Sequence, residues 1–141
     1  MTTWNIPGCE YFEHDADVGV IGRGRSIEEA FVSAARSLFA LITDLRQICA
    51  RERIDIEFHE GDIELAFVTW LNLLLAHAHQ RGLALCDFSL VHRSDNWRGI
   101  AWGEPWRAEF ERGIDVKGAT LTMLEVSENN GAWLARCVVD V

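Results

Sequence analysis

Ser26-Ile27-Glu28-Glu29-Ala30-Phe31, running on to Ile42, is the stretch on which the fold turns. Ser26 with Glu29 three positions later has the form of a capping box, where a hydroxyl and a carboxylate satisfy free N–H groups at a helix start. Behind it Ile27, Ala30, Phe31, Ala34, Ala35, Leu38, Phe39 and Ile42 recur at helical spacing, predicting an amphipathic helix that ends near Thr43-Asp44. Upstream, Tyr11 to Asp17 and Val18 to Ile21 read as one or two short strands, and Gly22-Arg23-Gly24-Arg25 as a turn. Downstream, Arg51 to His59 alternates Ile54, Ile56 and Phe58 against Arg53, Asp55 and Glu57, the pattern of a half-buried strand.

Asp62 then caps a second helix, which carries Ile63, Leu65, Ala66, Phe67, Val68, Trp70, Leu71, Leu73, Leu74 and Leu75 and stops at Gly82. Apolar almost all round, it is expected at the buried centre. Past Ala84 there are no helix signals, and turn clusters at Ser94-Asp95-Asn96, Gly103-Glu104-Pro105 and Asn129-Asn130-Gly131 separate strand-like runs. The last of these runs is Trp133 to Val141. The expectation is an α+β fold, an antiparallel or mixed sheet with two main helices packed against it, as a single compact domain over residues 1–141.

Composition narrows the function. With 13 Lys+Arg against 22 Asp+Glu the net charge is −9, the wrong sign for gripping nucleic acid through its phosphates, so any link to RNA should run through a partner. Cys9, Cys49, Cys86 and Cys137 are widely spaced, with no CxxC or CxxH, which argues against structural zinc and for reduced thiols in a cytoplasmic protein. The start, Met1 to Asn5, lacks the basic and apolar regions of a signal peptide. The apolar stretch Phe67 to Ala78 is too short to span a membrane.

The candidate site lies at the chain ends. Asp140 sits in an otherwise apolar closing run, beside the α-carboxylate of Val141. Near the start, Asp15 and Asp17 share one face if the strand is continuous, and apolar Val18-Gly19-Val20-Ile21 follows at once. Carboxylates at strand ends against a core are costly unless paired or metal-bound, and an all-oxygen set suits Ca²⁺ or Mg²⁺ better than zinc. The plainer reading is solvated strand-end aspartates. Lys117, if Gly113 to Met123 is a regular strand, shares a face with Ala119, Leu121 and Met123 and acts either as a snorkelling lysine or as counter-charge to the carboxylates.

Other motifs carry less. His77 and His79 point about 200° apart on a helix and cannot share a metal, and His14 alternates to the face opposite Asp17 on a continuous strand. Gly22-x-Gly24 lacks the rest of a phosphate-binding loop, and no nucleophile elbow is present. Of six tryptophans Trp70 reads as core, whereas Trp97, Trp102 and Trp106 either mark a protein-binding surface or pack within the sheet.

The chain resembles the archease family over essentially its full length. The matching pieces are His14-x-Ala16-Asp17-Val18-Gly19, Ser26 to Phe31 with Leu38-Phe39 and Thr43-Asp44, Trp70-Leu71-Asn72-x-Leu74-Leu75, Gly103-Glu104-Pro105, Val116-Lys117 and the penultimate Asp140. The resemblance implies a cytoplasmic accessory protein, not itself an enzyme, for the GTP-dependent RNA ligase that joins 3′-phosphate or 2′,3′-cyclic-phosphate ends to 5′-hydroxyl ends in tRNA splicing. Such proteins promote the ligase's guanylylation and multiple turnover. The family's metal site maps onto Asp17, Asp140 and Val141, with a divalent cation, Ca²⁺ or Mg²⁺, as cofactor; its functional residues map onto Asp17, Lys117 and Asp140. The chain departs from the family at Asp15, where Thr is usual, at Leu121-Thr122 in place of Tyr-His, and at Phe110 in place of His. Two other classes remain as alternatives: a small metal-dependent phosphoester hydrolase using the same carboxylates, and a chaperone-like interaction module in which a metal only staples the fold.

Overall fold

The computed structural model describes residues 4–141. Met1, Thr2 and Thr3, part of the start read for a signal peptide, lie outside the described residues. In chain order the elements are β1 (Glu10–His14), β2 (Asp17–Gly24), α1 (Ile27–Ile42), β3 (Glu52–His59), α2 (Ile63–Arg81), β4 (Leu83–Arg93), β5 (Asn96–Pro105), β6 (Gly118–Ala119), β7 (Glu125–Asn129) and β8 (Ala132–Asp140). The α+β expectation holds, but the strands divide into two antiparallel sheets where one was expected. The larger has the order β1-β2-β8-β6, with β7 also on β8, and the smaller is β3-β5-β4.

Both helices start and stop as their sequences require. The Ser26 hydroxyl accepts the Glu29 N–H at 3.1 Å, and the Glu29 carboxylate accepts from Arg25 N–H at 2.8 Å, one residue before the expected back-bond. Asp62 accepts from the N–H groups of Glu64 and Leu65, and Gly82 closes α2 in the left-handed conformation at φ 64°.

The centre belongs to α1, not α2. Ala30, Phe31, Ala34, Ala35, Ser37, Leu38, Phe39, Ala40 and Leu41 are all buried, because α1 lies between β2 and β8 of one sheet and β4 of the other. In α2 only Ala66, Phe67, Trp70, Leu71, Leu74 and Ala78 are buried, and Leu65 stays 42% exposed. The Trp70 indole N–H ties the two helices by donating to the Phe31 carbonyl at 3.1 Å.

The expected turn at Gly22 to Arg25 is instead the end of β2. Its glycines serve contact with the helix, since a Cβ at Gly22 would run into the Ala30 carbonyl oxygen and the Ala34 backbone. Likewise Gly103-Glu104-Pro105 ends β5 and does not separate strands. Glu104 is buried there, accepting from Cys49 N–H at 2.5 Å with Arg107 3.6 Å away; that backbone bond leads in holding its carboxyl below the usual range. Trp97 is core, stacked on Phe31, Phe58 and His92. Trp106 lies under the Arg112 guanidinium at 4.1 Å.

Candidate functional site at the joined chain ends

A hairpin and the closing strand meet inside the larger sheet, where β2 lies against β8. β1 and β2 are joined by only two residues, Asp15 and Ala16, with Asp15 at φ 51°, the position where a tight hairpin needs a left-handed residue. The sequence from His14 to Asp17 is therefore a turn, not one extended strand. Two readings change: Asp15 sits in the loop and does not share a strand face with Asp17, while His14 pairs directly with Asp17 across the ladder.

β8 lies against β2 in the register Val18↔Val139, so the next step brings Asp17 opposite Asp140. Val18 and Val139 are core residues, which by alternation turns Asp17 and Asp140 to the other face of the sheet. The Val141 N–H donates to Asp17 Oδ1 at 3.3 Å, bonding the two ends side chain to backbone. On the other flank of β8, Gly118 pairs with Asp140, and the Lys117 N–H donates to the Asp140 carbonyl at 2.8 Å. Thus Asp17, Lys117, Asp140 and Val141 come together from three separate stretches of chain.

Asp17 and Val141 are half-buried, whereas Asp140 and Lys117 are exposed. Among the described residues the Lys117 side chain has no ion pair. Its neighbourhood also differs from the expected strand face: the regular ladder is only Gly118–Ala119, after which the chain turns through Leu121 and Met123, both exposed, with Met123 at φ 56°. Phe110 is buried in a small cluster with Ile48 and Ala84, away from the joined ends.

For a cation, the set offers the carboxylates of Asp17 and Asp140, hard oxygen donors of the kind Ca²⁺ and Mg²⁺ take. One Asp17 oxygen is used by Val141 N–H, leaving the second for a ligand. Among the described residues no group of three or more His, Cys, Asp or Glu side chains forms a cage. The two carboxylates are of the donor type a hard divalent ion takes, and Asp140 is open to solvent.

Two neighbours were misjudged from sequence. His14, read as facing away from Asp17, pairs with it because Asp15-Ala16, with no glycine or asparagine to announce it, makes a tight turn. Asn72 stands between Leu71 and Leu73 on α2 and holds β6 through both atoms of its amide. A polar residue inside an apolar helix was its signal.

Comparisons with known proteins bear on the family and the fold. The sequence profile described as the Archease protein family matches residues 9–141. The protein archease of Sulfolobus acidocaldarius is 36% identical over 135 residues, covering 94% of this chain and 97% of that one. Its counterpart in Aeropyrum pernix is 33% identical over 140 residues, covering 95% and 97%. A Methanobacterium thermoautotrophicum protein known from its solution structure superposes with a TM-score of 0.79 at 28% identity, over 96% of this chain and 100% of that one. An archease of Thermotoga maritima described as a possible chaperone superposes with a TM-score of 0.64 at 19% identity, over 94% and 96%, a likeness of fold alone.

Proposed function

The chain belongs to the archease family, and on that premise we propose that it is an accessory protein that activates an RNA ligase. In this reading it promotes guanylylation of the GTP-dependent enzyme that joins 3′-phosphate or 2′,3′-cyclic-phosphate RNA ends to 5′-hydroxyl ends, and so sustains multiple turnover in tRNA splicing and RNA repair. The observation that carries it is the meeting of the chain ends, with Val141 N–H on Asp17 at 3.3 Å and Lys117 N–H on the Asp140 carbonyl at 2.8 Å. The family resemblance assigns Asp17, Lys117 and Asp140 to ligase activation, and Asp17, Asp140 and Val141 to the metal.

Each residue has a separable task. Asp17 accepts the Val141 N–H and keeps a second oxygen for a ligand, while Asp140 presents an exposed carboxylate beside it. Lys117, its backbone bonded to the Asp140 carbonyl, leaves its side chain exposed, free to meet an anionic group of the partner. A bound Ca²⁺ or Mg²⁺ supplies neutralising charge to the carboxylates. The net charge of −9 favours contact with the ligase protein over contact with its RNA.

The test is a multiple-turnover ligation assay with the cognate ligase, GTP and RNA ends of the stated chemistry. Asp17→Ala, Lys117→Ala and Asp140→Ala are each expected to lose the stimulation. If both aspartate variants stimulate as well as wild type, the site assignment fails. The protein is expected to hydrolyse no phosphoester on its own; such an activity, lost in Asp17→Asn, would turn the assignment to a hydrolase.

A further inference from the structure

We propose that Asn72 is the positioning residue for Lys117, acting as a side-chain substitute for a missing β-strand. The proposal rests on the ligase-activation reading for the value of Lys117, but its structural content stands apart from it. Between Pro105 and Glu125 the regular structure is only the two-residue β6, and Lys117 immediately precedes it. With no ion pair on the Lys117 side chain among the described residues, the placement of its amine is set by the backbone beneath it.

That backbone is held from two sides. Toward β8, Lys117 N–H reaches the Asp140 carbonyl at 2.8 Å and Thr120 N–H reaches the Val138 carbonyl at 3.0 Å. Ala119, between them, turns its own N–H and C=O away from β8 toward α2, where no strand lies. Asn72 fills that place: its Oδ1 accepts from Ala119 N–H at 2.8 Å, and its Nδ2 donates to the Ala119 carbonyl at 3.1 Å. A primary amide offers the donor and acceptor of a peptide group, so the pair reproduces a rung of an antiparallel ladder. Two turns earlier on α2, Glu64 accepts from Val126 N–H at 3.3 Å, so the helix also meets the segment after the Leu121 turn. The rigid helix thereby closes the sheet edge and fixes the register of the Lys117 segment.

Asn72→Asp separates the two halves of the rung, keeping the acceptor but placing a carboxylate oxygen against the Ala119 carbonyl. Asn72→Ser, too short for both bonds, is the milder second variant should the first fail to fold. Lys117 is the only lysine of the chain. Reductive ¹³C-methylation therefore puts one side-chain reporter in the protein besides the α-amino group. In either variant the dimethyl-Lys117 resonance is expected to shift, and the Lys117 and Ala119 amides to exchange at least tenfold faster, with the Trp97 indole signal unmoved. In the ligation assay the variant should lower maximal stimulation without changing the half-saturating concentration, and adding it to Lys117→Ala should cost nothing more. An unmoved Lys117 resonance with unchanged amide exchange overturns the proposal, even if Lys117→Ala abolishes stimulation. A moved resonance alongside full stimulation by Lys117→Ala supports the positioning by Asn72 and overturns the ligase role of Lys117 instead.

Discussion

Replacing Asp17 by asparagine separates charge from structure at the joined ends. The amide oxygen can still accept the Val141 N–H that now reaches Asp17 Oδ1 at 3.3 Å, so the register of β2 and β8 should survive. What changes is repulsion with Asp140, one ladder step beyond Val18↔Val139. Side chains facing each other across a ladder sit about 4–5 Å apart, and two like charges about 4 Å apart cost about 1 kcal/mol in water-like surroundings and about 4 kcal/mol at an effective dielectric of about 20. Asp140 is exposed and Asp17 only half-buried, which places the cost at the low end, about 1–2 kcal/mol. Since about 1 kcal/mol moves the midpoint of a domain of this size by about 3 °C, Asp17→Asn should melt about 3–6 °C above wild type in EDTA. If the proposed cation site is right, calcium should reverse the order. At about a hundredfold excess over its dissociation constant a ligand adds about 2.7 kcal/mol to wild type, whereas the variant, short of one charged donor, gains little. Thermal unfolding in EDTA and along a calcium titration reads both halves. A variant that melts below wild type in EDTA, or gains as much from calcium, refutes the reasoning.

Appending residues after Val141 turns its carboxylate into a peptide group, and calorimetry should then show calcium bound about tenfold or more weakly, a loss of about 1.4 kcal/mol, at unchanged stability in EDTA; equal affinities remove Val141 from the site. Burial pushes the Cys137 thiol up to about 12 and the Cys86 thiol up to about 11 from an ordinary 9.0. Raised folded values mean that the stabilisation is complete below about pH 9 and drains away as pH climbs toward 11 and 12. Urea unfolding between pH 8 and 11 should show this decline, reduced in Cys137→Ala, and a flat profile contradicts it. Gly22→Ala drives a methyl into the Ala30 carbonyl and should cost about 3 kcal/mol or more in urea unfolding; a change below about 1 kcal/mol would show that β2 and α1 can part freely.

What could be read in advance follows from how local each signal is. α1, β3 and α2 were legible because capping, alternation and a terminal glycine act within a few residues, as Ser26, Ile54-Ile56-Phe58 and Gly82 show. The aspartates at the two ends were legible because a closing run that stays apolar implies a docked strand. The division into two sheets was not, since it depends on β8 inserting beside β2, a pairing no local pattern encodes. Counting apolar residues also misplaced the centre of the domain: α2 is richer in leucine, but small residues such as Ala30, Ala34 and Ala35 let α1 approach the strands closely. The hairpin at Asp15-Ala16 and the amide rung at Asn72 were hidden for a related reason. Both are settled by partners across the ladder or across the domain.

The bond between Val141 and Asp17 spans 124 positions in the chain. Closing so long a loop costs entropy that no contact repays until the ladder forms, and folds governed by such pairings are slow, on the order of milliseconds to seconds. Hairpins β1–β2 and β4–β5 can form early from neighbouring sequence, whereas the carboxylate pair exists only once the closing strand has slotted between β2 and β6. Any partly folded form with only the local helices and hairpins in place therefore lacks the site. On the ligase-activation reading, the capacity to act would itself mark that folding has finished.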